Sequence, residues 1–83
     1  MKASDSLSVY DQVVQVTHVY LGPAAERFIG RQVENHLNKS PQDLTKKDLR
    51  SLIVWIQAVV SLITEDKDII EEYTAELRKV ANS

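Results

Sequence analysis

Apolar residues recur along this chain at three- and four-residue steps in four separate runs, and the third run is apolar on more than one face. The first run starts at Leu7 and carries Val9, Tyr10, Val13, Val14, Val16, Tyr20 and Leu21. These positions make a helical stripe, although the β-branched residues and the Val14, Val16 alternation also suit a strand. No second strand-like segment exists to pair with it, and a lone strand would leave its backbone groups without partners, so a helix is expected. Gly22 and Pro23 then punctuate the chain. Glycine can close the first helix in a left-handed conformation, and proline fits the first turn of the next. The second helix is expected from Pro23 to about Leu37, with Ala25, Phe28, Ile29, Val33 and Leu37 on its inner face. Gly30 inside it costs about 1 kcal/mol relative to alanine, which points to the close approach of another helix.

The segment 38–44 is a connection with a short turn of its own, in which Ser40, Pro41 and Asp43 match a cap, a first-turn proline and an acceptor three residues on. Thr45 and Asp48 repeat the pattern at the start of the third helix. The main seam of that helix is Leu49, Leu52, Ile53, Ile56, Val59, Val60 and Ile63. Thr64 or Asp66 can cap the fourth helix, whose inner face is Ile69, Ile70, Tyr73, Leu77, Val80 and Ala81, with Glu71, Glu72, Glu76, Arg78 and Lys79 in water.

Beside the seam of the third helix lies a second apolar stripe: Val54, Trp55, Ala58 and Leu62. A helix apolar nearly all round is normally enclosed by neighbours or by a second subunit. Two readings follow. Residues of the first helix cover the stripe within one subunit, or the stripe is a partner interface centred on an aromatic anchor beside small and aliphatic residues.

The chain has 83 residues, 43% of them hydrophobic and 27% charged, with two Gly and two Pro. That is the balance of one folded domain, small enough for a dimer to add to its stability. Residues 1–6 are polar and small and read as a disordered N-terminus, leaving 7–83 as a single helical domain. The opening residues lack the apolar segment of a secretory signal, and the longest apolar run falls short of the roughly 20 residues a spanning helix needs. A cytoplasmic location is expected, with no membrane partner.

Ten basic residues stand against twelve acidic ones, for a formal charge of -2. The signs are interleaved, which argues against a polyanion-binding face. The most basic patch, Lys46-Lys47-Asp48-Leu49-Arg50 with Lys39 before it, opens the most apolar helix, a poor recognition element for base edges. Nucleic acid is therefore not an expected partner, although a small nucleic-acid-binding regulator is the alternative reading.

There is no cysteine, which removes disulfides, thiolate metal sites and thiol nucleophiles. The two histidines, His18 and His36, fall on different helices and form no pair at ligand spacing, so no metal site is expected. His18 reads as a partly buried helix residue, and His36 as a polar residue near a helix end where its charged form is favourable. Glu65, Asp66, Glu71 and Glu72 read as helix-start and solvated-face residues. No motif sets a nucleophile beside a base, and no cofactor signature occurs. The expectation is a protein that is not an enzyme, with no catalytic residue and no cofactor.

Leu21-Gly-Pro-Ala-Ala-Glu-Arg-Phe-Ile29, followed by Ser40-Pro-Gln-Asp-Leu44, the third helix, and Glu71-Glu-Tyr-Thr-Ala-Glu-Leu77, resembles a small helical module. That module stands at the C-terminal ends of bacterial, especially cyanobacterial, serine/threonine kinases and related signalling proteins. The similarity runs from about Val13 to Ala81 and rests on packing and turn residues. It implies an accessory or regulatory part of a signalling system, and it offers no catalytic residues to carry over. The chain departs from the pattern at Ala24 and Ala25, in its Trp-bearing third helix, and in containing no kinase domain.

The combined expectation is an all-α domain, a compact four-helix bundle with a short extra helical turn. It would serve a cytoplasmic bacterial regulatory system as a non-enzymatic protein-interaction or oligomerisation module. Its partner would be another protein or an identical subunit, met through Val54, Trp55, Ala58 and Leu62.

Overall fold

The computed structural model describes residues 7–83, so the expectation for residues 1–6 lies outside the described residues. Four α-helices and two short 3-10 turns make up the chain: α1 (Val9–Leu21), a turn at Gly22–Ala24, α2 (Ala25–Leu37), a turn at Pro41–Asp43, α3 (Lys46–Ile63) and α4 (Lys67–Asn82). The fold is all-α. Each helix packs against its neighbours in sequence, and α1 closes the ring on α4.

Side chains stop and start these helices as the turn chemistry requires. The Ser8 hydroxyl accepts from the Asp11 N–H at the start of α1. Gly22 ends α1 at φ 63°, ψ -142°, a backbone conformation that penalises any Cβ, and its N–H donates to the His18 carbonyl. Pro23 does not open α2 directly. It sits in the 3-10 turn that tightens the corner, and α2 proper begins at Ala25. Asn38 closes α2 in the left-handed region at φ 54°, ψ 42°, as a short polar side chain tolerates. The expected turn forms at Pro41–Asp43, but the Ser40 side chain makes no cap; the Asp43 N–H bonds the Ser40 carbonyl instead.

Thr45 and Asp48 form a reciprocal capping box on α3, with the Asp48 N–H donating to the Thr45 hydroxyl and the Thr45 N–H to the Asp48 carboxylate. Between α3 and α4, Thr64 accepts from the Asp66 N–H, and Asp66 caps α4 by accepting from the N–H groups of Asp68 and Ile69.

The core is the meeting of four inner faces: Tyr10 and Val13 from α1, Ala25, Ile29 and Val33 from α2, Leu49, Leu52, Ile53, Ile56 and Val60 from α3, and Ile70, Tyr73, Leu77, Val80 and Ala81 from α4. Three seam assignments are corrected. Val59 is only half-buried, and Ile63 and Ile69, at the end of α3 and the start of α4, are exposed on the rim of a hollow that the neighbouring helices do not fill. Thr17, Gln32 and Thr74 take buried positions that a hydrophobic pattern does not reveal. Thr74 bonds the carbonyl of Ile70 one turn back, and Thr17 shares a 2.6 Å hydrogen bond with the Tyr73 hydroxyl.

Gly30 is also corrected. A Cβ built there would meet only the Tyr10 hydroxyl, at 3.8 Å, an ordinary van der Waals contact. No backbone approaches closely enough to demand glycine.

Candidate functional site

The capping box fixes where α3 begins, and a helix of 3.6 residues per turn then assigns each side chain its direction. Leu49, Leu52, Ile53, Ile56 and Val60 point into the core. On the opposite side, four-residue steps align Val54, Ala58 and Leu62, and the same line continues back through Ser51 and Lys47. All five are exposed. Val54 keeps 67% of its surface open, Leu62 87% and Trp55 50%. The structure therefore brings Val54, Trp55, Ala58 and Leu62 onto one open face, and residues of α1 do not cover them.

Trp55 sits at the border of this face nearest α2. Its indole stacks on the His36 imidazole with centroids 4.3 Å apart and planes 8° from parallel. One face of the ring is thus supported while half of the side chain stays open. His36 has the predicted place in the last turn of α2, but the stacking was not legible, because no spacing rule relates residues on separate helices. His18, expected to be partly buried, is exposed on α1.

No charged residue occurs from Ser51 to Thr64, so the face is uncharged as well as apolar. Its two ends differ in sign. Lys46, Lys47 and Arg50 lie at the N-terminal end of α3; Glu65, Asp66 and Asp68 follow its C-terminal end.

The basic patch is largely engaged within the fold. Lys39 forms a 2.6 Å ion pair with Asp48, Lys46 donates to the Ser83 carbonyl, and Arg50 donates to the Ala81 carbonyl at 3.1 Å. Two of these cations thus sit on the last carbonyls of α4, where the helix dipole favours positive charge. Lys47 is the member of the patch left pointing outward along the open face of α3.

An apolar hollow of about 180 Å³ lies among Tyr20, Leu21, Val60, Ile63, Thr64, Ile69 and Tyr73. It is smaller than the roughly 300–1,000 Å³ of a usual small-molecule site. The Tyr73 hydroxyl beside it is held by Thr17, and burial pushes that phenol up to about 12, so it is neither a ready acid nor a base near neutral pH. Among the described residues no three His, Asp or Glu side chains are grouped to hold a metal ion, and no helix is long and apolar enough to cross a membrane.

Comparison with protein-family models, with curated proteins and with solved structures found no match to this chain.

Proposed function

We propose that this chain is a non-enzymatic protein-interaction and oligomerisation module whose contact surface is the outer face of α3. The observation that carries this reading is the joint exposure of Val54, Trp55, Ala58 and Leu62 on a strip that carries no charge over fourteen consecutive residues, 51–64. Scattered exposed apolar residues are ordinary on protein surfaces; an aligned set beside a braced aromatic ring has the composition of an interface centre. An uncharged strip also presents no like-charge repulsion to a second copy. The regulatory, cytoplasmic setting is supported by the resemblance to kinase-associated helical modules, carried by Leu21 to Ile29, Ser40 to Leu44 and Glu71 to Leu77.

Sedimentation velocity across a dilution series, with Trp55 emission recorded on the same samples, tests the reading. The expected result is a shift from dimer to monomer mass on dilution, accompanied by a red shift of Trp55, and loss of the dimer in Leu62→Asp with its helical signal unchanged. A monomer at every concentration, or a dimer indifferent to Leu62→Asp, overturns it.

A further inference from the structure

The outer line of α3 is built around a small residue. Ala58 lies midway between Val54 and Leu62, about 6 Å along the axis from each. Two helices approach most closely where a small side chain lies at the crossing, with larger side chains filling the space on either side. The charges give the line a direction: cationic where α3 begins, at Lys46, Lys47 and Arg50, and anionic just after it ends, at Glu65 and Asp66.

We infer that two copies of this chain pack α3 against α3 in antiparallel sense, about a two-fold axis passing beside Ala58. The inference rests on the interaction reading above and adds to it the occupant, the orientation and the register. A two-fold axis at Ala58 sets Val54 against the partner's Leu62 and repeats that contact on the other side, the self-complementary pattern of a cyclic dimer. Arg50 lies about 12 Å from Ala58 along α3, whereas Ile63 lies about 7.5 Å away and Glu65 follows two residues later. The antiparallel arrangement therefore carries Lys47, the cation left free on this face, toward the partner's Glu65, twice over, while Arg50, held on the Ala81 carbonyl, adds positive charge at the same end. A parallel pairing stacks Lys47 on the partner's Lys47 and Glu65 on the partner's Glu65, and like charges facing each other oppose association. Antiparallel helix dipoles act in the same direction, since each cationic start then lies beside the partner's negative helix end. The open apolar area is that of four side chains, so the interface belongs to the small class, below about 1,200 Å² in total, and the dimer is a dissociable one.

The absence of cysteine makes the register directly readable. Under mild oxidation Ala58→Cys is expected to cross-link to itself. Val54→Cys and Leu62→Cys each stay monomeric on a denaturing gel, because the axis holds like residues about 12 Å apart along the helices, beyond the ~7 Å limit of a disulfide. An equal mixture of the two, one carrying a mass tag, gives the mixed dimer. Self-linking of all three variants indicates a parallel pair and overturns the inference, as does a dimer, still sensitive to Leu62→Asp, in which none of them links. In both cases the interaction reading survives; insensitivity to Leu62→Asp is the result that removes the reading itself.

A charge swap provides the second measurement. Lys47→Glu weakens association about tenfold at low salt, and adding Glu65→Lys restores it. No rescue by the double variant overturns the antiparallel register. Both positions are exposed, and unchanged helical circular dichroism separates loss of pairing from loss of fold.

Discussion

Trp55 of α3 and His36 of α2 stack face to face, with ring centroids 4.3 Å apart and planes within 8° of parallel. The contact crosses the α2 and α3 boundary at the protein surface. It fixes the orientation of an indole that no core residue encloses, and a partner would find that ring already ordered.

Removing one ring should loosen the other. His36→Ala is expected to red-shift Trp55 emission and lower its anisotropy while costing about 0.5–1 kcal/mol in stability. Trp55→Ala should abolish association with a folding cost of about 1–2 kcal/mol, below the 3–5 kcal/mol range of a buried aromatic, because half the side chain is already in water. Leu52→Ala, fully buried on the same helix, should cost about 2–5 kcal/mol. Chemical denaturation read by circular dichroism ranks the three.

The Thr17 and Tyr73 hydroxyls share a buried 2.6 Å hydrogen bond that ties α1 to α4 across 56 residues of sequence. Tyr73→Phe leaves the Thr17 hydroxyl without this partner, and a loss of about 1–2 kcal/mol is expected. Burial raises the Tyr73 phenol from 10 to about 12, with the Thr17 bond working in the opposite direction. Below pH 10 the phenol is protonated in both folded and unfolded chains, and its contribution is complete. Between pH 10 and 12 the unfolded chain releases the proton first, so stability should fall by up to about 1.4 kcal/mol per pH unit. Tyr73→Phe should flatten this alkaline slope in urea titrations. A residual slope is expected from Tyr10 and Tyr20, both raised chiefly by burial.

The start of α3 should be acid-sensitive. The hydrogen bond from Lys39 holds the Asp48 carboxyl below its ordinary value, helped by Thr45 and opposed by partial burial. A lowered folded-state value means that the contribution is present at neutral pH and is lost as pH falls into the range where Asp48 takes a proton. Asp48→Asn should therefore reduce the acid dependence of stability. Thr45→Ala, which removes the other half of the capping box, should cost about 0.5–2 kcal/mol at neutral pH.

Two positions on α2 are open to improvement. Gly30→Ala should stabilise by about 0.4–1 kcal/mol, since a Cβ has room and the unfolded chain loses freedom. Gln32 is buried, and its Oε1 accepts no hydrogen bond among the described residues. Gln32→Met should be neutral or stabilising, because it removes a desolvated acceptor at similar volume. Thermal melts of the two variants check both expectations.

Much of the fold was legible along the chain because its signals are local. Gly22, the Thr45 and Asp48 box and the Asp66 cap act within one helical turn of themselves, and three-to-four periodicity finds the faces that Ile29, Leu52 and Leu77 share. What was misread or passed over lies at helix ends or depends on distant partners. Ile63 and Ile69 carry the right period and are exposed, Ser40 has the right type and makes no cap, and Thr17 is polar and fully buried. The stripe of Val54, Trp55, Ala58 and Leu62 was visible as a pattern, yet its position inside or outside the subunit was not.

The sequence by itself determined four helices, their caps and corners, and the presence of more apolar surface on the third helix than one inner face requires, since these follow from backbone chemistry and a fixed residue period. Only the tertiary structure decided which surface was left over. That choice depends on how four helices close into a ring: α2 and α4 flank α3, and nothing within residues 7–83 covers the outer line from Val54 to Leu62. The same closure set His36 against Trp55 and Thr17 against Tyr73, contacts between residues that are neighbours only once the chain has folded.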